Sequence, residues 1–350
     1  MAGDESIPLI EYLYELPREL IAQSPASPRD SSRLMRVPRS GADPSHQSFR
    51  DLDRLLKPGD LLVTNETEVI PARLRLHKTS GGRVELMLLR PVDADIRGGL
   101  VWEGIGKPGA AFTYGRTLVA SDGTRITVLG REGRTVTVRA EEPLLTVARR
   151  VGEVPLPPYI RRPNGPDHDD SSSYQAVFAR QPGSAAAPTA SLHFTARLLD
   201  RLKAKGIKRA SLVLHVGLGT FLPIDDALAD DVRQHQMHAE WFSVPTMTQD
   251  AIRETKAAGG RVIAVGTTVV RALETLGHLD RAQGETELFI YPGFEFKIVD
   301  GLITNFHLPG STLLLLVSAF SSSQTIMNAY RTAVAKKYRF FSYGDAMLID

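Results

Sequence analysis

The stretch RVIAVGTTVVRALETL (261–276) decides the fold class. Val262, Ile263, Ala264 and Val265 form a short apolar run that reads as a buried strand, a glycine closes it, and a helix follows from Thr267. Working outward, the same rhythm recurs. TARLLDRLKAKG (195–206) carries Leu198, Leu199 and Leu202 and stops at a glycine, as helices do. ASLVLHVGLG reads as the buried strand after it, and AIRETKAAGG as a further helix. Alternating strands and helices predict a predominantly α/β domain.

Residues 69–150 break the rhythm. Short alternating segments (ARLRLHKT, GRVELMLLRP, RTLVASDGTRITVLGREGRTVTVRA) are divided by Ser-Asp-Gly-Thr at 121–124 and Arg-Glu-Gly-Arg at 131–134, both of which read as hairpin turns. They predict a small antiparallel β-barrel without a helix. Because the α/β pattern resumes afterwards, the expected architecture is α/β: a larger α/β catalytic domain (1–68 and 152–350) with the barrel (69–151) inserted in it. RRPNGPDHDDSSS (161–173) reads as an exposed, mobile loop.

Composition narrows the function. The absence of cysteine among 350 residues excludes a disulfide framework, a thiol nucleophile and a cysteine-based zinc site. No basic, apolar leader opens the chain, and the longest apolar run, at 313–320, is far below the roughly 18 residues of a membrane span. A soluble, cytoplasmic protein is expected. With 42 basic and 40 acidic residues the net charge is only +2, so bulk charge announces no nucleic-acid partner. Local clusters (Arg149-Arg150 with Arg161-Arg162, RLKAKGIKR at 201–209, RTAVAKKYR at 331–339) read first as solvated faces and helix ends.

Several motifs carry candidate chemistry. AAPTASLHFT (186–195) sets one histidine, His193, behind a run of small side chains that let backbone approach a ligand. LHVGLGTF (214–221) puts His215 at a strand end before two glycines, but it lacks the third glycine of a dinucleotide fingerprint. Thr267 and Thr268 open a helix, with Arg271 one turn in, and suit an anion or carboxylate as well as an ordinary threonine cap. HQMHAEW (235–241) sets His235 and His238 three apart with Glu240 beyond, a conceivable zinc spacing. HEXXH is absent and no third ligand is evident, so hydrogen bonding at a domain seam is the better reading. TNFHLPGST (304–312) places Asn305 and His307 at the mouth of the most apolar helix, and YRFFSYGDAMLID (338–350) is aromatic enough to be packed.

Taken in order, LPRELIAQSPASPRDSSRL (16–34), TNETEVIPARL (64–74), LPPYIRR (156–162), YQAVFARQPGSAAAPTASLHFT (174–195), LHVGLGTFLPI (214–224), ELFIYPGFEFKIVDGLITNFHLPGSTLLLLVSAF (287–320) and YRFFSYGDAMLI make the chain resemble the S-adenosylmethionine:tRNA ribosyltransferase-isomerases of queuosine biosynthesis. The resemblance spans essentially the whole chain. It departs where that family carries glycine and this chain has Ser191, and where it carries lysine and this chain has Glu68 and Gly310.

The resemblance implies transfer of the ribosyl group of S-adenosylmethionine to the aminomethyl nitrogen of a 7-deazaguanine at the tRNA wobble position. The ribose rearranges to an epoxycyclopentanediol while adenine and methionine leave. The implied partner is a tRNA with a GUN anticodon. No metal or cofactor is expected, because S-adenosylmethionine is consumed, and a monomer is expected. Such chemistry needs a base beside the sulfonium and an acid at the departing adenine, for which histidine is suited. His193 and His215 are the expected pair, with His307 next. Glu295, Tyr343 and Asp345 are expected at the sulfonium, ribose or aminomethyl group, Asn305 in the site wall, and Thr267, Thr268 and Arg271 at a carboxylate or phosphate. Arg29, Arg33, Arg161 and Arg339 are the expected tRNA contacts. Two rival readings are an S-adenosylmethionine-dependent RNA methyltransferase, which would leave S-adenosylhomocysteine, and a non-catalytic RNA-binding module.

Overall fold

The computed structural model describes residues 6–92, 96–163, 165, 169–217 and 224–350. Part of the 161–173 loop and the segment 218–223, which holds the second glycine of LHVGLGTF, lie outside the described residues. The chain divides into two compact units: one of residues up to Glu66 with Ala176–Phe178 and Pro188–Asp350, the other of Thr67–Gln175 with Ala179–Ala187.

The first unit begins with strands β1 (Arg33–Val37), β2 (Ser45–Ser48) and β3 (Leu61–Asn65) and a single-turn helix α1 (Leu52–Leu55). The second contains β4 (Thr67–Val69), six barrel strands β5 (Arg73–Lys78), β6 (Arg83–Pro91), β7 (Val101–Lys107), β8 (Thr117–Ala120), β9 (Arg125–Glu132) and β10 (Thr135–Ala140), helices α2 (Leu144–Val151) and α3 (Asp170–Ser173), and β11 (Gln181–Ser184). The chain then returns to the first unit with α4 (Ala196–Ala204), β12 (Lys208–Leu214), β13 (Glu240–Ser243), α5 (Thr246–Ala257), β14 (Val262–Val265), α6 (Thr267–Leu279), β15 (Gln283–Thr286), β16 (Gly301–Asn305), α7 (Thr312–Phe320), α8 (Ser323–Ala335) and β17 (Ala346–Ile349).

The second unit is a closed antiparallel barrel in the order β10-β7-β6-β5-β8-β9. Alternating side chains fill it: Leu74, Leu76, Leu86, Leu88, Trp102, Leu118, Ile126, Val128 and Val138 are fully buried. Both expected hairpins are present, β8 pairing with β9 and β9 with β10. The expectation of no helix fails at LLTVARRV. Leu144, Leu145, Val147 and Ala148 bury one face of α2, a helix of 8 residues, too short for its period to stand out after a strand-rich segment.

In the first unit, a nine-stranded mixed sheet runs β15-β13-β12-β3-β14-β16-β17-β1-β2. Strands β12, β3, β14 and β16 are mutually parallel, while β17 runs antiparallel to β16 and parallel to β1. The carboxyl ends of the four parallel strands therefore share one edge with the amino ends of β17 and β1. Strands β3, β14, β16 and β17 are buried along their whole length, as strands covered on both faces require. The aromatic C-terminus is packed as expected, because β17 sits inside the sheet between β16 and β1.

Candidate active site

The carboxyl edge is where an open α/β sheet holds a ligand, because loops leaving the strand ends diverge there. Pro188 to Phe194 cross this edge as a short 3-10 turn, Thr189–His193, in which Ala190, Ser191, Leu192 and His193 are buried. The turn packs against β16. Its small residues permit that approach: Ala190 comes up to Gly266, the left-handed residue (φ 92°) that caps α6, with 3.6 Å to an ideal Cβ there.

His193 is 4% exposed. Its Nδ1 lies 2.8 Å from Ser32 Oγ, and its ring stacks on Phe49 with centroids 4.8 Å apart. Burial pushes the imidazole down to about 4, opposed by Asp345 and Asn305 and reinforced by Arg339 and Arg29. The ring is therefore neutral at physiological pH. Asn305, ending β16, donates from Nδ2 to the carbonyls of Phe341 (2.8 Å) and Ser342 (3.3 Å). Phe341 holds a left-handed backbone (φ 70°), strain of the kind that persists where the surroundings over-determine it. Gly344 is required in the same turn, since a Cβ there would sit 2.6 Å from the Arg339 carbonyl oxygen.

Asp345 is fixed rather than free. It accepts from the Arg33 backbone (2.9 Å), Arg33 Nε (3.3 Å) and the Arg339 backbone (2.8 Å), and Arg339 Nε lies 3.7 Å away. Arg33 also donates to the carbonyls of Lys336 and Lys337 and covers the Tyr338 ring, which ties β1 to the C-terminal turn. Arg29 and Tyr343 interact electrostatically, and burial lowers the guanidinium's affinity for its proton. Arg161 is exposed on the other unit.

Across the same edge, Asn65 ends β3 and holds Leu214 at both its N–H (3.1 Å) and its carbonyl (2.8 Å), with Thr268 Oγ1 at 3.4 Å. His215 follows on β12; its N–H donates to the Trp241 carbonyl (3.0 Å) and its ring stacks on the half-exposed indole, centroids 5.3 Å apart. Burial pushes this imidazole down to about 4 as well. Strands β3 and β14 lie between β12 and β16, which puts about 14 Å between the ends carrying His215 and Asn305. The two histidines therefore stand at separate points along the same edge.

Three expectations need correction. Arg271 is not available to an anion: its guanidinium pairs with Glu240 and donates to the carbonyls of Leu288 (3.0 Å) and Thr286 (3.3 Å), with both charged side chains only 3% exposed. Glu295 is exposed and its carbonyl faces His278, at the far end of α6, about 16 Å along the helix from Thr267. His307 is buried and bonded into the fold. Its Nε2 lies 2.8 Å from Thr304 Oγ1, its N–H donates to Tyr330 Oη (3.0 Å), and its carbonyl accepts from Tyr14, while burial pushes the ring down to about 3. Thr267 and Thr268 occupy the first helical positions of α6 rather than its cap, which leaves the amides of that first turn without a side-chain cap. Phe49 went unassigned from sequence, while Ser32 belongs to the polar cluster Arg29-Asp30-Ser31-Ser32-Arg33, whose residue types suggest a tRNA or substrate contact. Nothing local marks Ser32 as a histidine's partner.

Fold and site together define an α/β protein with an inserted barrel and with the buried, neutral His193 at the carboxyl edge of its sheet. A family model described as queuosine biosynthesis protein matches residues 9–349, and the chain belongs to that family. It is 50% identical over 348 residues to the S-adenosylmethionine:tRNA ribosyltransferase-isomerase of Anaeromyxobacter sp. (strain K), covering 97% of this chain and 99% of that one. The protein of the same description from Symbiobacterium thermophilum is 48% identical over the same shares of each chain. The crystal structure of S-adenosylmethionine tRNA ribosyltransferase from Thermotoga maritima superimposes with a TM-score of 0.55 at 39% identity, covering 97% of this chain and 100% of that one. Among the described residues, no helix is long and apolar enough to cross a membrane.

Proposed function

We propose that this chain transfers and isomerises the ribosyl group of S-adenosylmethionine onto the 7-aminomethyl-7-deazaguanine at the wobble position of a tRNA with a GUN anticodon. Epoxyqueuosine-tRNA forms, and adenine and methionine are released. The observation that carries the reading is the buried His193 held by Ser32 beside Asn305 and Asp345 at the carboxyl edge, in a chain about half identical to ribosyltransferase-isomerases along its length. The relatives give the methyltransferase alternative no support.

Residues take the following parts. His193 and His215 bracket the nucleoside, one moving or holding a proton at the ribose side and the other at the adenine. The uncapped first turn of α6, with Thr267 and Thr268, receives the methionine carboxylate. The exposed face of Trp241 offers a π surface to the sulfonium or a base. Arg29 with Tyr343, and Arg339, line the approach of the RNA backbone, which guanidinium groups neutralise. The protein acts as a monomer in the cytoplasm, with no metal or cofactor, because S-adenosylmethionine is a consumed substrate.

The test is turnover with tRNA bearing the 7-aminomethyl-7-deazaguanine base, following adenine by chromatography. Wild type is expected to release one adenine per modified tRNA, and His193→Ala to lose about 10²–10⁴ in kcat with tRNA binding intact. Release of S-adenosylhomocysteine in place of adenine defeats the reading.

A further inference from the structure

We infer that Ser32 and Asn305 are positioning residues that lock His193 in the tautomer protonated at Nε2, so that His193 serves as a neutral hydrogen-bond donor and not as a base. This deepens the proposed function and rests on it for the identity of the acceptor: a nitrogen or oxygen of the nucleoside that gains negative charge as adenine departs.

The geometry settles each nitrogen in turn. The Asn305 amide has one workable orientation. Its Nδ2 faces two backbone carbonyls, Phe341 and Ser342, and exchanging nitrogen for oxygen would set acceptor against acceptor. Its Oδ1 is then an acceptor directed away from them, buried and without a hydrogen bond. Asn305 favours protonation of His193, as an amide oxygen facing the ring does, and His193 Nε2 is itself buried without a hydrogen bond of good geometry. With Nδ1 engaged by Ser32, Nε2 is the ring nitrogen left to the Asn305 oxygen, and an amide oxygen on that side favours the Nε2–H form. Nδ1 then carries a lone pair, which the Ser32 hydroxyl donates to at 2.8 Å. Which nitrogen of a histidine carries the proton is set by the bond the other makes.

The charged groups that face the ring agree with a neutral donor. Asp345 is the obvious carboxylate to take an Nδ1 proton, but Arg33 and Arg339 occupy it, and Ser32 stands at Nδ1. Arg29 and Arg339 oppose a positive ring, and stacking on Phe49 buries it. A neutral imidazole donates well to a developing anion without first having to be protonated. A base at this position would need the nitrogen that Ser32 fills.

Two measurements decide it. In protein labelled with ¹⁵N-histidine, long-range proton–nitrogen correlation is expected to show Nε2 as the protonated nitrogen of a neutral His193 at physiological pH. A ring protonated at Nδ1, or an imidazolium, overturns the inference. In turnover, glutamine places an amide N–H near the Nε2 position but cannot take up a proton. His193→Gln is expected within about tenfold of wild-type kcat where His193→Ala loses about 10³, with the acid limb of the kcat profile flattened. Glutamine as inactive as alanine in a folded protein overturns it. Ser32→Ala is expected to lower kcat about tenfold with KM for S-adenosylmethionine unmoved, and Ser32→Thr to restore it. Wild type that releases no adenine overturns the reaction assignment, while the nitrogen spectrum still reports the tautomer.

Discussion

The two edges of the sheet in the first unit handle polar groups in opposite ways. At the amino edge, Arg261 makes two bonds to Asp60 (2.7 and 3.1 Å) and one to Asp350 (3.0 Å), and Asp350 also takes Arg36 (2.8 Å). These residues adjoin β14, β3, β17 and β1, so the network fastens four strand ends and pairs its carboxylates fully. At the carboxyl edge, histidines are buried uncharged, Phe341 is held in a left-handed conformation, and His193 Nε2, Asn305 Oδ1 and Ser191 Oγ lack hydrogen bonds. One edge spends its polar groups on holding strands together; the other keeps them costly and available. Conserving polar satisfaction at one edge while relaxing it at the other is what a sheet with a site at a single edge requires.

The largest effect expected from breaking this contrast is on stability, at the amino edge. Arg261→Met leaves Asp60, whose side chain is 3% exposed, without its ion-pair partner, and should destabilise the fold by about 3–5 kcal/mol by urea titration. Turnover per folded molecule should be unchanged. An equal loss from His193→Gln would erase the difference between the edges.

Acid sharpens the comparison next. His193 is pushed down to about 4 and His307 to about 3, against 6.5 in the unfolded chain. Between these values the unfolded state binds protons that the folded state refuses, so stability is complete above about 6.5 and falls as pH drops toward 4. Each histidine carries on the order of 3 kcal/mol of this loss. Denaturant midpoints measured across that window should decline in wild type and decline less in His193→Gln.

Legibility follows the same division. Helices α4, α5 and α6 and strands β12 and β14 were readable because their periods are local, and the barrel because its hairpin turns are. That β17 enters between β16 and β1 was not, since strand order depends on which buried faces meet and no local period encodes it. His193, Asn305 and Asp345 stood out as polar residues among small or apolar ones. Ser32 did not declare its role, because its partner lies 161 residues away. Arg271 misled for the same reason: one turn into a helix it reads as an anion ligand, and only the fold reveals Glu240, 31 residues earlier, beside it.

A smaller effect is expected on the barrel. Arg75 binds Glu153 through two bonds (2.5 and 2.9 Å), beside a cavity of about 550 Å³ that Arg73 and Arg162 also line. With the Arg75 side chain 60% exposed, the pair is solvated, and Arg75→Ala should shift stability by less than about 1 kcal/mol, declining further with added salt. A loss as large as that of Arg261→Met would mean that the barrel, too, depends on a network of paired charges.

The smallest effect should come from Ser191→Ala, and its sign tests the contrast most directly. The Ser191 hydroxyl is buried with no hydrogen bond, so the folded state bears the desolvation of a polar group without recompense. Removing it should leave stability level or raise it by up to about 1 kcal/mol, read as a higher thermal midpoint, whereas a satisfied buried hydroxyl would lower it by a similar amount. Turnover should stay within about twofold, because the proton-bearing nitrogen belongs to His193 two residues on and its holders, Ser32 and Asn305, remain in place. A more stable, equally active Ser191→Ala would show that part of the instability at the carboxyl edge is dispensable. A more stable variant with turnover reduced tenfold would instead make the hydroxyl a ligand of the substrate, and the cost of burying it part of the site.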